Sequence, residues 1–259
     1  MKINQAFAIL QKSGGVRAAR IITENVKKLS YIRVHMMAHK LRRGVPVAKI
    51  IGQKWFYGLN FYTNKHTLDP RPDTETLVYA VISDCGNNNP RRVLDLGTGT
   101  GCIICSLIKN IPNMSGVAVD LSGAALRVAR KNIKLLGLSD KIKTIHGSFN
   151  NPKLIREQFD IIVSNPPYIA YGDTRVDDGA MHDPSLALYA NNNGLAAYEM
   201  IAKNAKNWIK QGGKLYLEIG AGQANDIKNI FDKNGWDFVA VHNDLAGIER
   251  VLVFSMVTK

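Results

Sequence analysis

Asn165-Pro166-Pro167-Tyr168 follows the apolar run Ile161-Ile162-Val163-Ser164, and residue types in this order make a clamp for a planar NH2 group. The two prolines hold φ at about −65° and remove two N–H donors, so the turn offers carbonyl oxygens for which its own amides do not compete. Asn165 adds a side-chain oxygen, and Tyr168 adds a flat apolar face with a polar tip. Acceptors set beneath a ring suit an amide or amino nitrogen that is to be methylated, provided a methyl donor sits beside it. Asn165, Pro166, Pro167 and Tyr168 are the expected substrate contacts, with Asn165, Pro166 and Tyr168 acting at the reacting nitrogen.

A donor site is legible upstream. Val93-Leu94-Asp95-Leu96-Gly97-Thr98-Gly99-Thr100-Gly101 reads as a strand, a glycine-rich turn and the start of a helix, where the missing Cβ atoms allow a tight turn and close approach of a ligand. Such a turn serves nicotinamide, flavin and methyl-donor enzymes alike, but the spacing here is GxGxG rather than the dinucleotide GxGxxG. Asp95 closes the first strand, and Asp120, 23 residues after Gly97, closes the second. A carboxylate there accepts hydrogen bonds from both ribose hydroxyls of a nucleoside cofactor; the plainer role for Asp120 is a cap for the following helix. Phe149, after the third strand, is placed either to stack on adenine or to fill core. Gly97, Thr98, Gly99, Thr100, Gly101, Asp120 and Phe149 are the expected cofactor residues, with Asn165 on the shared edge. S-adenosyl-L-methionine is the cofactor that joins the two halves, because strand carboxyl ends in an open α/β sheet face one crevice.

The elements that must position these residues alternate along the chain. Val93 to Leu96, Gly116 to Val119, Ile142 to His146, Asp160 to Ser164 and Lys214 to Ile219 read as strands, separated by helix-length segments such as Gly123 to Leu136 and Gly194 to Ile209. This implies a mostly parallel sheet covered on both faces. Phe238 to His242 and Val251 to Val257 have no helix between them, which predicts a closing hairpin and one antiparallel strand. Residues 1–45 show helical spacing broken at Gly14-Gly15 and read as a small basic helical domain. Residues 46–72 read as a linker with a β-hairpin over Trp55 to Gly58 and Asn60 to Thr63, and 73–259 as the methyltransferase domain. Pro72 stiffens the entry, and Asp73 is expected to cap a helix reaching about Cys85.

Composition narrows the function classes. Residues 1–54 hold twelve Lys and Arg against one acid, Glu24, so this segment carries +11 of the chain's net +13. That asymmetry suggests an acidic partner, either protein or nucleic acid, or else a solvated helical surface. No apolar run approaches a membrane span and no secretory h-region opens the chain, so a cytoplasmic location without membrane association is expected. Three cysteines make no disulfide framework. Cys102 and Cys105 form a CxxC inside an apolar run and read as core; His35 and His39 share a helix face but lack a third ligand, so no metal is expected.

Further stretches carry a resemblance: Pro46 to Gly52, Phe56 to Phe61, Leu68 to Leu77, Asp183 to Leu188, Glu218-Ile219-Gly220 with Gln223, and Asp244 to Val251. With the glycine turn and Asn165-Pro166-Pro167-Tyr168, they resemble the release factor glutamine-N5 methyltransferase family of Rossmann-like class I methyltransferases from about residue 46 onward. The segment Pro70-Arg71-Pro72-Asp73-Thr74-Glu75 is the specific part. The resemblance implies a class I methyltransferase sheet with a small N-terminal helical domain, S-adenosyl-L-methionine as cofactor and methylation of the glutamine in the Gly-Gly-Gln motif of peptide chain release factors. Nucleic acid is not required, although the basic N-terminal segment leaves it open. Three departures stand out: a helical domain about 20 to 25 residues shorter, Asp183-Pro184 in place of Glu-Pro, and Ala190-Asn191-Asn192-Asn193 in place of a glycine-containing turn. The competing readings are an RNA or DNA amino-group methyltransferase of the adenine N6 type and a cofactor-binding docking module without activity.

Overall fold

The computed structural model describes residues 1–86, 91–173 and 178–256. The first helices are α1 (Ile3–Asn25), α2 (Tyr31–Arg42) and α3 (Val47–Ile51). Ala6, Leu10, Ala19 and Ile22 of α1 pack on Val34, Met37 and Ala38 of α2, and Val47, Ile50 and Ile51 of α3 lie against them. The Gly14-Gly15 break is a kink inside α1, where Gly15 takes φ 82°, a conformation glycine adopts without a Cβ penalty. Ser30 caps α2 by accepting a hydrogen bond from the Arg33 N–H at 3.3 Å.

The expected hairpin is β1 (Gln53–Phe56) paired antiparallel with β2 (Leu59–Tyr62). Its turn residues, Tyr57 and Gly58, have φ of 47° and 73°, the mirror-image turn whose twist matches that of the strands. Glu75 holds the non-glycine residue there by accepting the Tyr57 N–H at 2.9 Å. A 3-10 turn, Pro72–Thr74, then leads into α4 (Glu75–Cys85). Asp73 does not cap this helix, as the sequence suggests; Thr74 stands at the boundary. The Asp73 carboxylate instead pairs with the Arg250 guanidinium at 3.3 Å, a full charge outcompeting a single helix N–H.

From there β3 (Arg92–Leu96), α5 (Cys102–Asn110), β4 (Ser115–Asp120), α6 (Gly123–Leu135), β5 (Ile142–His146), β6 (Phe159–Ser164) and the short β7 (Ile169–Ala170) follow. Next come α7 (Ser185–Leu188), β8 (Tyr189–Ala190), α8 (Ala196–Asn204), β9 (Ile209–Glu218), α9 (Ala224–Lys233), β10 (Trp236–Asn243) and β11 (Glu249–Met256). Val257, expected to end the last strand, lies outside the described residues. The helix expected over Gly194 to Ile209 is shorter: after α8 a 3-10 turn runs to Asn207, and Ile209 already pairs with Phe159 of β6. Apolar Trp208 and Ile209 prolong a helical pattern that the sheet claims.

Seven strands form one sheet in the order β10-β11-β9-β6-β3-β4-β5. β11 runs antiparallel to both neighbours and the remaining pairings are parallel. Alternate strand residues feed two cores: Val93, Ala118, Ile161 and Val163 pack with α4 and α5, whereas Leu94, Val117, Val119 and Ile162 pack with α8 and α9. Strand order reverses at β3, between β4 and β6, the switch point where such sheets open a crevice. Cys102 and Cys105 are buried in α5. Burial raises the Cys102 thiol pKa to about 12 and that of Cys105 further, so both are inert apolar packing groups. Among the described residues no helix is long and apolar enough to cross a membrane.

Candidate active site

Strand register, more than loop shape, assembles the site. Leu96 of β3 is level with Val119 of β4 and with Ser164 of β6, and Ser164 is level with Leu217 of β9. The next residue on each strand is therefore Gly97, Asp120, Asn165 and Glu218, one row across the carboxyl edge. Ser164 fastens its strand to the donor strand by donating Oγ–H to the Leu96 carbonyl at 2.7 Å.

Above this edge lies a cavity of about 360 Å3, within the size range of small-molecule sites. Gly97, Thr98, Gly99, Thr100, Asp120, Phe149, Asn165 and Pro167 all line it, so donor and acceptor residues share one space. Gly97 and Gly99 have φ of 75° and 55°, and a Cβ on Gly97 would meet no atom within 4 Å. The loop thus leaves room that a ligand can occupy. Gly101 has φ 79° and begins α5, with Ala129 and Cys105 packed against it; it supports the loop from behind. Pro166 and Tyr168 are not part of the cavity wall. Tyr168 is held back by packing on Gly220, where a Cβ would approach its Cδ2 to 3.1 Å, and by the Gln223 Nε2–H donated to its carbonyl at 3.0 Å. It braces the turn, and the stacked rings of Tyr171 and Tyr189, 5.4 Å apart, stand in the wall instead.

Asp120 is not the helix cap; Ser122 caps α6 by accepting the Ala125 N–H at 3.2 Å. Asp120 accepts the Gly99 and Ser122 N–H groups, each at 2.8 Å, which bind the donor loop to the second strand and leave lone pairs facing the cavity. Asp95 is fully buried and accepts the Thr98 hydroxyl at 2.6 Å through Oδ2. These acids, a nucleoside-sized cavity and a Cβ-free loop fit the adenosyl methyl donor expected from the sequence. Asp120→Ala is expected to weaken methyl-donor affinity by about 10- to 100-fold, the cost of one charge-assisted hydrogen bond. Unchanged affinity by calorimetry would remove Asp120 from the site.

Burial dominates the electrostatics of this edge. It raises the carboxyl pKa of Asp95 and of Glu218 to about 7, and raises that of Asp120 as well. The folded chain then holds these protons more tightly than the unfolded chain. Their contribution to stability is full below about pH 4 and is lost as pH rises through about 7. Asp84 and Asp160, whose burial is outweighed by hydrogen bonds from Lys214 and Tyr216 and from the Arg92 N–H and Lys210, act in the opposite sense, but only below about pH 4. The unliganded protein should therefore lose roughly a few kcal/mol between about pH 5 and 8, and less in Asp95→Asn. Thermal unfolding across that interval tests it; a melting temperature that rises with pH would contradict it.

A second layer holds the cavity walls. Lys49 Nζ lies 2.9 Å from Asp69, 2.8 Å from Asp183 and 2.8 Å from the Asn64 carbonyl, and also donates to the Thr67 carbonyl. Arg71 meets the other oxygen of Asp183 at 2.9 Å. The Asp183-Pro184 departure is thereby accommodated: the shorter acid meets both cations and pins the segment carrying Pro184 and Leu186. Asn192 and Asn193 adopt φ of 54° and 52° ahead of Gly194, since asparagine tolerates the left-handed conformation better than most residues. Asn132 joins the hairpin to the donor loop, donating to the Tyr62 and Thr100 carbonyls at 2.9 Å each and accepting the Tyr62 N–H at 2.7 Å. None of Lys49, Asn132, Thr74 or Glu218 stands out as a site residue in the sequence. Lys49, Thr74 and Glu218 are visible there only inside stretches that carry the family resemblance.

The sheet order, its glycine donor loop and the Asn165 turn in one cavity define a class I methyltransferase. Residues 72–182 match the family model described as "Methyltransferase small domain". A methyltransferase from Pyrococcus furiosus shares the fold, with a TM-score of 0.56 at 18% identity over 87% of this chain and 98% of that one. A release factor glutamine methyltransferase from Agrobacterium fabrum is 38% identical over 86% of this chain and 78% of its own length. A bifunctional methyltransferase from Rickettsia felis is 39% identical over 81% of this chain but 45% of its own length; the chain spans about half the length of the Rickettsia relatives it matches. The chain belongs to the release factor glutamine methyltransferase family.

Proposed function

We propose that this protein transfers a methyl group from S-adenosyl-L-methionine to the side-chain amide nitrogen of the glutamine in the Gly-Gly-Gln motif of a peptide chain release factor. The observation that carries this reading is Asn165 in the wall of the cavity formed by Gly97 to Thr100 and Asp120. The bound cofactor supplies a methyl already activated by positive sulfur. What the chain must do is orient a poor nucleophile, since an amide lone pair is delocalised into its carbonyl. Asn165 Oδ1, in the cavity wall, is the acceptor for an amide hydrogen, which aligns the nitrogen lone pair with the methyl. Orientation of this kind supplies much of the rate enhancement, and no tuned general base is needed before transfer because the extra proton leaves afterwards. Phe149 and Asp120 hold adenine and ribose.

Incubation with labelled methyl donor and either release factor or nucleic acid tests the reading. Label is expected on the Gly-Gly-Gln glutamine by mass spectrometry and is abolished when that glutamine is changed to alanine. Label in nucleic acid alone would overturn it in favour of the adenine-type reading. The net +11 of residues 1–54 favours an acidic face on the partner.

A further inference from the structure

The Asn165 amide is gripped from the side opposite its proposed acceptor. Its Nδ2 donates to Thr74 Oγ1 at 3.1 Å, and Glu218 is hydrogen-bonded to both Thr74 and Asn165. Thr74 is 2% exposed and Glu218 1%, and Glu218 Oε2 has no hydrogen-bond partner among the described residues. Thr74 arrives from the turn before α4, and Glu218 follows Leu217, which is level with Ser164. Glu218 is fixed in turn: its carbonyl accepts the Tyr198 hydroxyl at 2.9 Å. Arg250, bound to Asp244 at 3.0 Å and to the Ile219 carbonyl at 3.3 Å, supplies a nearby positive charge.

The direction of these hydrogen bonds follows from their chemistry. Above about pH 7 Glu218 is ionised and its carboxylate only accepts, so the single Thr74 hydroxyl hydrogen points to Glu218, and the hydroxyl lone pair is left for an Asn165 N–H. Turning the amide over would press Oδ1 against two buried acceptors, which costs free energy without compensation. Oδ1 is then the atom of Asn165 left to face a ligand in the cavity.

We propose that Thr74 and Glu218 are positioning residues that lock the Asn165 amide, so that Oδ1 rather than Nδ2 meets the NH2 of the methyl acceptor. The proposal rests on the acceptor reading of Asn165. Without the lock, Asn165 can present its own hydrogens to those of the acceptor.

Thr74→Val keeps the side-chain shape and removes the hydroxyl, Thr74→Ser retains the hydroxyl, and Glu218→Gln introduces a donor that favours the reversed amide. Thr74→Val and Glu218→Gln should each lower kcat about tenfold or more, the rate equivalent of one net hydrogen bond, with methyl-donor affinity by calorimetry unchanged. Thr74→Ser should restore most of the rate. Independently of any substrate, the Asn165 side-chain amide protons, assigned by comparison with Asn165→Asp, should resist exchange with water by NMR in wild type and Thr74→Ser and exchange freely in Thr74→Val. Wild-type rates in folded Thr74→Val and Glu218→Gln, or equally free exchange in wild type, would overturn the positioning role. Protected amide protons in a wild type that leaves release factor unlabelled would overturn the substrate reading and keep the lock.

Discussion

Asn165→Ala should lower turnover by about 10²- to 10³-fold while methyl-donor affinity is largely retained. The magnitude follows from deleting one preorganised polar group where charge develops in the transition state. Asn165 lies on the donor–acceptor boundary of the cavity, yet Asp120 and the glycine loop carry the expected cofactor contacts from β3 and β4. Losing the Asn165 amide leaves those contacts standing. It removes an acceptor for the substrate amide and strips Thr74 and Glu218 of the group they orient. Single-turnover kinetics with release factor, run beside calorimetry for the methyl donor, separate the two terms. A wild-type rate in folded Asn165→Ala would remove Asn165 from the chemistry. A rate loss matched by an equal loss of donor affinity would make it a binding residue only.

Lys49→Ala should cost about 3–5 kcal/mol of folding stability, the range for breaking a buried ion pair by removing one partner. Lys49 and Asp183 side chains are 6% and 1% exposed. The ammonium is the shared partner of Asp183 and Asp69, and it also satisfies the backbone of the 64–67 turn. Alanine leaves two carboxylates in the interior with Arg71 as the nearer remaining cation for one of them. Arg71→Ala should cost much less, because that side chain is one-third exposed and Lys49 still balances Asp183. The midpoint of urea unfolding measures both variants. A loss under about 1 kcal/mol for Lys49→Ala would show that the network is not buried in solution. In a partly folded Lys49→Ala, Pro184, Leu186 and Ala187, which line the cavity beside Asp183, are the first wall to loosen.

The order of strands and helices, the hairpin, the kink at Gly14-Gly15 and the meeting of the Gly97 to Thr100 loop with Asn165 and Pro167 at one cavity were legible in the sequence. Each is written in local terms: period-two and period-3.6 patterns, glycines at turns needing positive φ, and prolines that remove donors. The place of Asp120 at the end of its strand was legible as well, because its spacing from the glycine turn reflects one βαβ unit. Helix ends were less legible where an apolar pattern ran on into a strand, as at Trp208 and Ile209. Tertiary structure alone decided the rest. Side chains without a local partner go wherever a distant charge or void receives them: Asp73 turns to Arg250, 177 residues away, rather than capping its own helix. Tyr168 leaves the cavity for Gly220, and Tyr171 with Tyr189 takes the wall. Glu218 and Thr74, unremarkable as letters, reach Asn165 because parallel pairing sets Leu217 level with Ser164 and the Pro72 turn carries Thr74 to the same edge. Register between Ser164 and Leu217, 53 residues apart, is a property of the sheet, and no local pattern in the chain encodes it.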